Sequence, residues 1–190
     1  MEFVINDTWI SVVNAALELL NKPHLSQLSD SGETAASVRL HLPNAVETVA
    51  SRYRWSCLST VADLNRMGND DIDGMHLFRL PTDIAYIEEV HTCDYRWERR
   101  GSCIASMADN CRISYVRMPT APQDLDPLLK GAVENLLASL CAIKLTGSSE
   151  MQNTYLAIYE NDIQLQIQKE KELVQPYKGD LYWHEEGHLG

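Results

Sequence analysis

The residues with the clearest capacity for chemistry lie near the C-terminus, where His184, Glu185 and His188 match the pattern H-E-x-x-H. On a helix this spacing places two imidazoles one turn apart to bind zinc, with the glutamate as general base. Gly187 lies between the histidines and weakens a helix by about 1 kcal/mol relative to alanine. This context disfavours a zinc-dependent hydrolase, which we keep as an alternative function.

Other templates of catalysis are missing from the sequence. It has no G-x-S-x-G elbow, no Walker phosphate loop and no glycine-rich turn for a dinucleotide. Its 5 cysteines are widely and irregularly spaced, without a Cys-x-x-Cys pair or the even number of a disulfide framework. We therefore expect a protein that is not an enzyme and that holds no metal or cofactor.

A basic and aromatic stretch is the second candidate site. Arginines alternate with aromatic residues, a mixture that can stack on single-stranded bases. A solvated hairpin with cross-strand aromatic pairs explains the pattern more simply, and a protein interface is a third interpretation. A small nucleic-acid-binding module is thus another alternative function. The stretch comprises Tyr95, Arg96, Trp97, Arg99, Arg100, Arg112, Tyr115 and Arg117.

The last segment, residues 175–190, carries large apolar side chains among prolines, glycines and charges. So irregular a segment cannot bury them in a core of its own, which leaves either a partner surface or a frayed end. We predict an extended tail that binds a partner. Its candidate binding residues are Tyr177, Leu181, Tyr182, Trp183 and Leu189.

Length and charge limit the class of protein. The chain has 190 residues, 45% hydrophobic and 23% charged, which is typical of one globular domain. The formal net charge of −11 repels the phosphate backbone and disfavours a DNA-gripping protein. Without a basic signal region or an apolar run of about 20 residues, we expect a soluble, unsecreted chain outside the membrane.

Apolar residues at three- and four-residue steps predict four helices, at about residues 8–20, 31–53, 126–145 and 149–174. Asp30 and Glu33 have the spacing of a capping box before the second helix, and Pro43 predicts a kink within it. Asp126 and Pro127 favour the start of the third. The turn at residues 146–148 is short, which makes the third and fourth helices antiparallel neighbours.

Between the second and third helices, residues 55–118 predict a β insertion. Strands are expected at residues 75–80, 84–90, 95–98, 102–107 and 112–117, after an exposed loop at residues 67–74. The predicted fold class is α+β. It is an antiparallel bundle of about four helices with one small antiparallel sheet or hairpin inserted, residues 1–174 forming a single domain before the tail.

The order of these segments resembles the phage head-to-tail adaptor (connector) family, to which podophage tail tubular protein A belongs. The likeness covers about residues 8–170. It departs at Pro43, at Asn21 in place of an expected glycine, and in the unmatched tail. The segments that carry it are Asn14 to Leu20, Tyr53 to Trp55, Phe78 to Asp83, Ile113 to Val116 with Asp124 to Pro127, Leu137 to Ala142, and Leu145 to Ser148.

The resemblance implies a structural, non-enzymatic protein of the virion, assembled in the host cytoplasm and placed at the head-tail junction. Such a protein forms a homo-oligomeric ring beneath the portal, typically a dodecamer. It joins the portal protein to the tail nozzle or another tail protein. DNA passes through during ejection without specific binding, a passage that an acidic chain favours.

Three sets of site residues follow from that resemblance. Helix four and the tail would bind around the portal. The hairpin with Tyr95, Trp97, Arg99 and Arg100 would face the tail side or a neighbouring subunit. Acids would line the channel if helix four borders it, and a solvated face is the simpler alternative for them. These acids are Glu160, Asp162, Glu170 and Glu172.

Overall fold

A computed structural model describes residues 6–69, 73–92 and 95–173. This part of the chain contains four α-helices, with seven β-strands between the second and third. The predicted α+β class with four helices and antiparallel strands is confirmed. The helices are α1 (Ile10–Leu19), α2 (Glu33–Ser51), α3 (Pro127–Thr146) and α4 (Ser149–Leu173), and the strands are β1 (Ser59–Asp63), β2 (Asn65–Asn69), β3 (His76–Arg79), β4 (Ile84–His91), β5 (Trp97–Arg100), β6 (Cys103–Ser106) and β7 (Arg112–Arg117).

The strands form two antiparallel sheets, where the sequence predicted one. The first has the order β1-β7-β4 and the second the order β2-β3-β6-β5. The predicted loop at residues 67–74 is wrong at its start, because β2 extends to Asn69. The pairing of β2 with β3 shifts register between Arg66 and Gly68, and such bulges tolerate a glycine within an edge strand. Turn-forming residues therefore do not exclude a strand here.

Helix α3 is the centre of the helical layer, since it packs against α1, α2 and α4. Its inner face buries Leu129, Val133 and Leu137. Gly147 ends α3 in the left-handed conformation, with φ 71°, which a residue without a Cβ adopts readily. The chain then enters α4 at Ser149, which places the two longest helices side by side.

The starts of the helices differ from the predictions in detail. Gly32 is the N-cap of α2, and the predicted capping box is wrong. The carboxylate of Asp30 instead accepts hydrogen bonds from the amides of Ser26 and Gln27. Helix α2 continues through Pro43 as one element. Asn21, where a glycine was expected, adopts φ 53°, a conformation that asparagine tolerates better than most residues.

A second, smaller core lies in the β region, centred on Phe78, Ile104 and Ile113. Strand β7 joins the two cores. Its Tyr115 packs in the second core, whereas the next residue, Val116, packs with the helices. This alternation is that of a strand buried on both faces, with successive side chains on opposite sides. In the described residues no helix has the length and apolar character to cross a membrane.

Candidate functional site

Two of the predicted sites lie outside the described residues. They are the H-E-x-x-H match at His184, Glu185 and His188, and the aromatic tail with Tyr177, Leu181, Tyr182, Trp183 and Leu189. Within residues 6–69, 73–92 and 95–173, no three histidine, cysteine, aspartate or glutamate side chains are grouped to hold a metal ion. The last described residue before both of them is Leu173, at the end of α4.

The predicted hairpin is formed by β5 and β6, which pair antiparallel with Trp97 opposite Ser106. Tyr95 and Trp97 are 54% and 41% exposed, although aromatic side chains of this size are usually well buried. Met107, at the other strand's end, is also exposed. The hairpin thus presents apolar side chains at one end.

Arg100 is occupied within the chain, and Arg99 uses one of its five N–H donors there. The guanidinium of Arg100 pairs with Glu98 and Asp73. A hydrogen bond from Arg100 holds the pKa of Asp73 below its usual value. Arg99 donates from Nε to the carbonyl oxygen of Gly101 at 3.1 Å. The ion pairs of Arg100 use donor groups that a phosphate backbone would need, which disfavours Arg100 as a contact to nucleic acid.

An open groove of about 680 Å³ runs beside the start of the hairpin. One wall carries Tyr95 and Trp97, and the other the end of β4 with Glu89 and His91. Thr92 ties the intervening turn by donating from Oγ1 to the carbonyl oxygen of Tyr95 at 2.7 Å. One aromatic wall beside polar and charged groups suits an apolar side chain from a protein partner.

The four candidate channel acids have unequal surroundings. Glu160 forms an ion pair with Arg52 at 3.0 Å, and Asp162 accepts a hydrogen bond from Asn135 Nδ2 at 3.0 Å. Glu172 is exposed. Glu170 is only 5% exposed, and its carboxylate points into the fold. The candidates therefore do not form one solvated face.

Glu170 belongs to a buried polar network that the sequence did not predict. Its carboxylate accepts hydrogen bonds from the amide and hydroxyl of Ser56, at 3.2 and 3.1 Å. Gln166 Nε2 donates to Glu170 and to Asp126, at 3.1 Å in each case. The network ties the last turns of α4 to the start of the β region and of α3. It thereby fixes the position of the last turns of α4.

The outward face of α4 is a second feature that sequence reasoning missed. Seven exposed, uncharged residues recur along it at three- and four-residue steps. Ile158 and Leu165 are 40% and 45% exposed. Leu156, on the same helix, is 41% exposed. We call this set the outer stripe of α4: Thr154, Ala157, Ile158, Asn161, Gln164, Leu165 and Gln168.

Three of the described cysteines, Cys57, Cys111 and Cys141, lack the setting of a catalytic nucleophile. Burial raises the pKa of Cys111 to about 11, and burial also raises the pKa of Cys57 and of Cys141. A thiol with a raised pKa stays protonated at neutral pH, whereas the thiolate is the nucleophile. These three side chains act as small apolar groups in their cores.

Comparison with protein-family models gives no match, and comparison with curated proteins gives no significant match either. The features that bear on function are therefore the order of the elements and the surfaces described above.

Proposed function

We propose that the protein is a structural head-to-tail adaptor of a tailed phage, which forms a ring beneath the portal and leaves a channel for DNA. The observation that carries the proposal is the order of the elements. Two helices precede a β insertion that ends at β7, and two long helices follow it. The segments that resemble the adaptor family lie on or beside these elements, from α1 to the turn before α4.

The arrangement gives each subunit two different surfaces, which a closed ring requires. Neighbours in a ring meet through heterologous contacts, in which one face of a subunit binds another face of the next. In our proposal the four helices form an antiparallel bundle, and the hairpin with Tyr95, Trp97, Arg99 and Arg100 projects to the tail side or to a neighbour. Helix α4 and the aromatic tail bind the portal.

The acidic balance supports the passage of DNA. With a net charge of −11 per chain, a ring of copies repels phosphate and does not retain the genome. Among the predicted channel acids, Glu172 is exposed, whereas Glu160 is paired with Arg52. The buried Glu170 takes no part in this proposed lining, since it fixes the end of α4.

The proposal is tested by mixing the full chain with the portal protein of the same virus and imaging the product by electron microscopy. We expect rings attached to the portal. Trp183→Ala in the tail should weaken this attachment. Leu40→Ala serves as the control, because Leu40 is a large apolar residue of α2 that is 72% exposed. A chain that never binds its own portal, at any ratio of the two proteins, contradicts the proposal.

A further inference from the structure

Three side chains on neighbouring strands of the first sheet form a chain of contacts that the adaptor function does not use. Oγ of Ser114, on β7, lies 3.1 Å from Nε2 of His91, on β4. Nδ1 of the same imidazole lies 3.7 Å from a carboxylate oxygen of Glu89. A hydroxyl, an imidazole and a carboxylate in this order are the groups with which serine hydrolases activate a nucleophile.

A bulge in β4 creates this arrangement. Ile87 pairs with Tyr115, and Glu89 pairs with Ser114, so β4 has one extra residue between the two pairs. Side chains alternate between the faces of a strand, and without the extra residue Glu89 and His91 would lie on the face opposite Ser114. The bulge brings both side chains to the face of Ser114. Bulges re-aim side chains in this way beside active sites.

The contacts fit a proton relay in one state of the imidazole. Nε2 accepts the hydroxyl hydrogen of Ser114 only when it carries no hydrogen itself, and the proton of a neutral imidazole is then on Nδ1. Nδ1 is the atom that faces Glu89. The carboxylate therefore favours the tautomer in which His91 is a base towards Ser114. At 3.7 Å it acts through its charge, which makes Glu89 a positioning residue.

His91 also lines the open groove of about 680 Å³ beside the hairpin. Tyr95 and Trp97 line the same groove, and both are partly exposed. Their rings offer an apolar wall on which an aromatic group can stack. The groove therefore selects a ligand with an aromatic part, held next to the imidazole that contacts Ser114.

The exposure of the site limits the substrates that it can use. The side chains of His91 and Glu89 are 42% and 70% exposed, and solvent weakens the electrostatic stabilisation of a transition state. Arg112 lies two residues from Ser114 on the same face of β7. Its hydrogen bonds to Asp63 use Nε and Nη2, which leaves Nη1 for the negative charge of a reacting carbonyl. So open a site suits reactive carboxylic esters rather than amides.

We propose that Ser114, His91 and Glu89 form a hydrolytic site for carboxylic esters that carry an aromatic group. Oγ of Ser114 attacks the carbonyl carbon, and its proton passes to Nε2 of His91. The imidazole gives this proton to the alcohol oxygen as the ester C–O bond breaks. Water then attacks the acyl-serine with the same imidazole as base, which releases the carboxylic acid and restores the hydroxyl of Ser114. The inference does not rest on the adaptor function.

Hydrolysis of para-nitrophenyl acetate by the full chain tests the site. We expect saturable release of nitrophenolate, with kcat/KM lowered about hundredfold or more by Ser114→Ala and by His91→Gln. Glu89→Gln should lower kcat about tenfold and leave KM within about twofold, because Glu89 orients the base without contacting the substrate. Circular dichroism checks that each variant folds. Attachment to the portal is measured separately, so either proposal can fail without the other.

His24→Gln is the matched control, because any exposed imidazole hydrolyses such an ester slowly. His24 lies 3.9 Å from Glu18, and both side chains are exposed, so this pair resembles His91 and Glu89 outside the site. The substitution should leave kcat/KM within about twofold of the unsubstituted chain. An equal loss in His24→Gln and His91→Gln would assign the activity to surface imidazoles and overturn the proposal. Hydrolysis no faster than in buffer would also overturn it.

Covalent labelling with a fluorophosphonate probe identifies the nucleophile. Attack by Oγ of Ser114 forms an O–P bond and expels fluoride, and the hydroxyl proton passes through His91 to water. Peptide mass spectrometry should find the probe on Ser114, both in the unsubstituted chain and in His24→Gln. Labelling should be about tenfold slower or more in His91→Gln. A probe found only on other residues, or on Ser114 at an unchanged rate in His91→Gln, would refute the relay.

Discussion

The helical layer and the β region bury their side chains to different extents. The helical core encloses two tryptophans, Trp9 and Trp55, that are wholly inaccessible to solvent. The second core is centred on Phe78, and aromatic side chains such as Trp97 remain exposed at the end of the nearby hairpin. Because the helical core buries more apolar side chains than the second core, we infer that the helices supply most of the stability. The β region leaves large side chains such as Tyr95 and Trp97 at the surface, where our proposal assigns them to recognition.

The largest expected effect is in the helical core. Leu137 is fully buried on α3, which contacts the other three helices. Leu137→Ala should lower the free energy of unfolding by about 3 to 5 kcal/mol, because the cavity cannot collapse in so enclosed a site. Urea denaturation followed by circular dichroism measures the change. The matched substitution in the β region is Ile104→Ala, at a residue that is also fully buried.

For Ile104→Ala we expect a loss of about 2 to 3 kcal/mol, towards the low end for such substitutions, because the smaller core can close around the cavity. A loss larger than that of Leu137→Ala would contradict the division between the two regions.

The junction of the two regions should give an intermediate effect that depends on pH. Arg117, at the end of β7, pairs with Asp124 before α3 at 3.2 Å. Burial alone would raise the pKa of Asp124, but hydrogen bonds from Arg117, Thr120 and Ala121 outweigh it and lower the pKa from 3.8 to about 2. The folded state therefore holds this proton less tightly than the unfolded state, and stability is present above the unfolded pKa.

We expect Asp124→Asn to cost about 1 to 2 kcal/mol at neutral pH, allowing for partial exposure to solvent. The difference from the unsubstituted chain should shrink as the pH falls from about 4 through about 2. Urea denaturation at several pH values measures it. A difference that is constant over this range would show that the carboxylate charge does not hold the junction.

The smallest effect is expected on the surface of the helical layer. Glu33 and Lys144 form an ion pair at 2.7 Å between α2 and α3, with both side chains 64% exposed. Solvent and salt screen such pairs, so Glu33→Gln should leave the midpoint of urea denaturation unchanged within error. A clear loss of stability would show that this exposed ion pair adds more to the stability of the helical layer than its exposure to solvent implies.

The sequence predicted the helices because their apolar periodicity is strong. It missed β1 and β2. The residues of β2, from Asn65 to Asn69, show no alternation of apolar and polar side chains. They form a strand because they pair with β3. It also missed the burial of Glu170, whose partner Ser56 lies 114 residues away along the chain. The sequence did not predict the outer stripe of α4, because two large apolar side chains among asparagine and glutamine side chains resemble a solvated face.

The central claim is that the protein is a ring subunit between portal and tail. An asymmetric reconstruction of the virion by electron cryomicroscopy tests it most directly. We expect density for α3 and α4 of many copies in a ring at the vertex from which DNA leaves, with residues 175–190 against the portal. Placement of the chain in the capsid shell, or its absence from the virion, would contradict it.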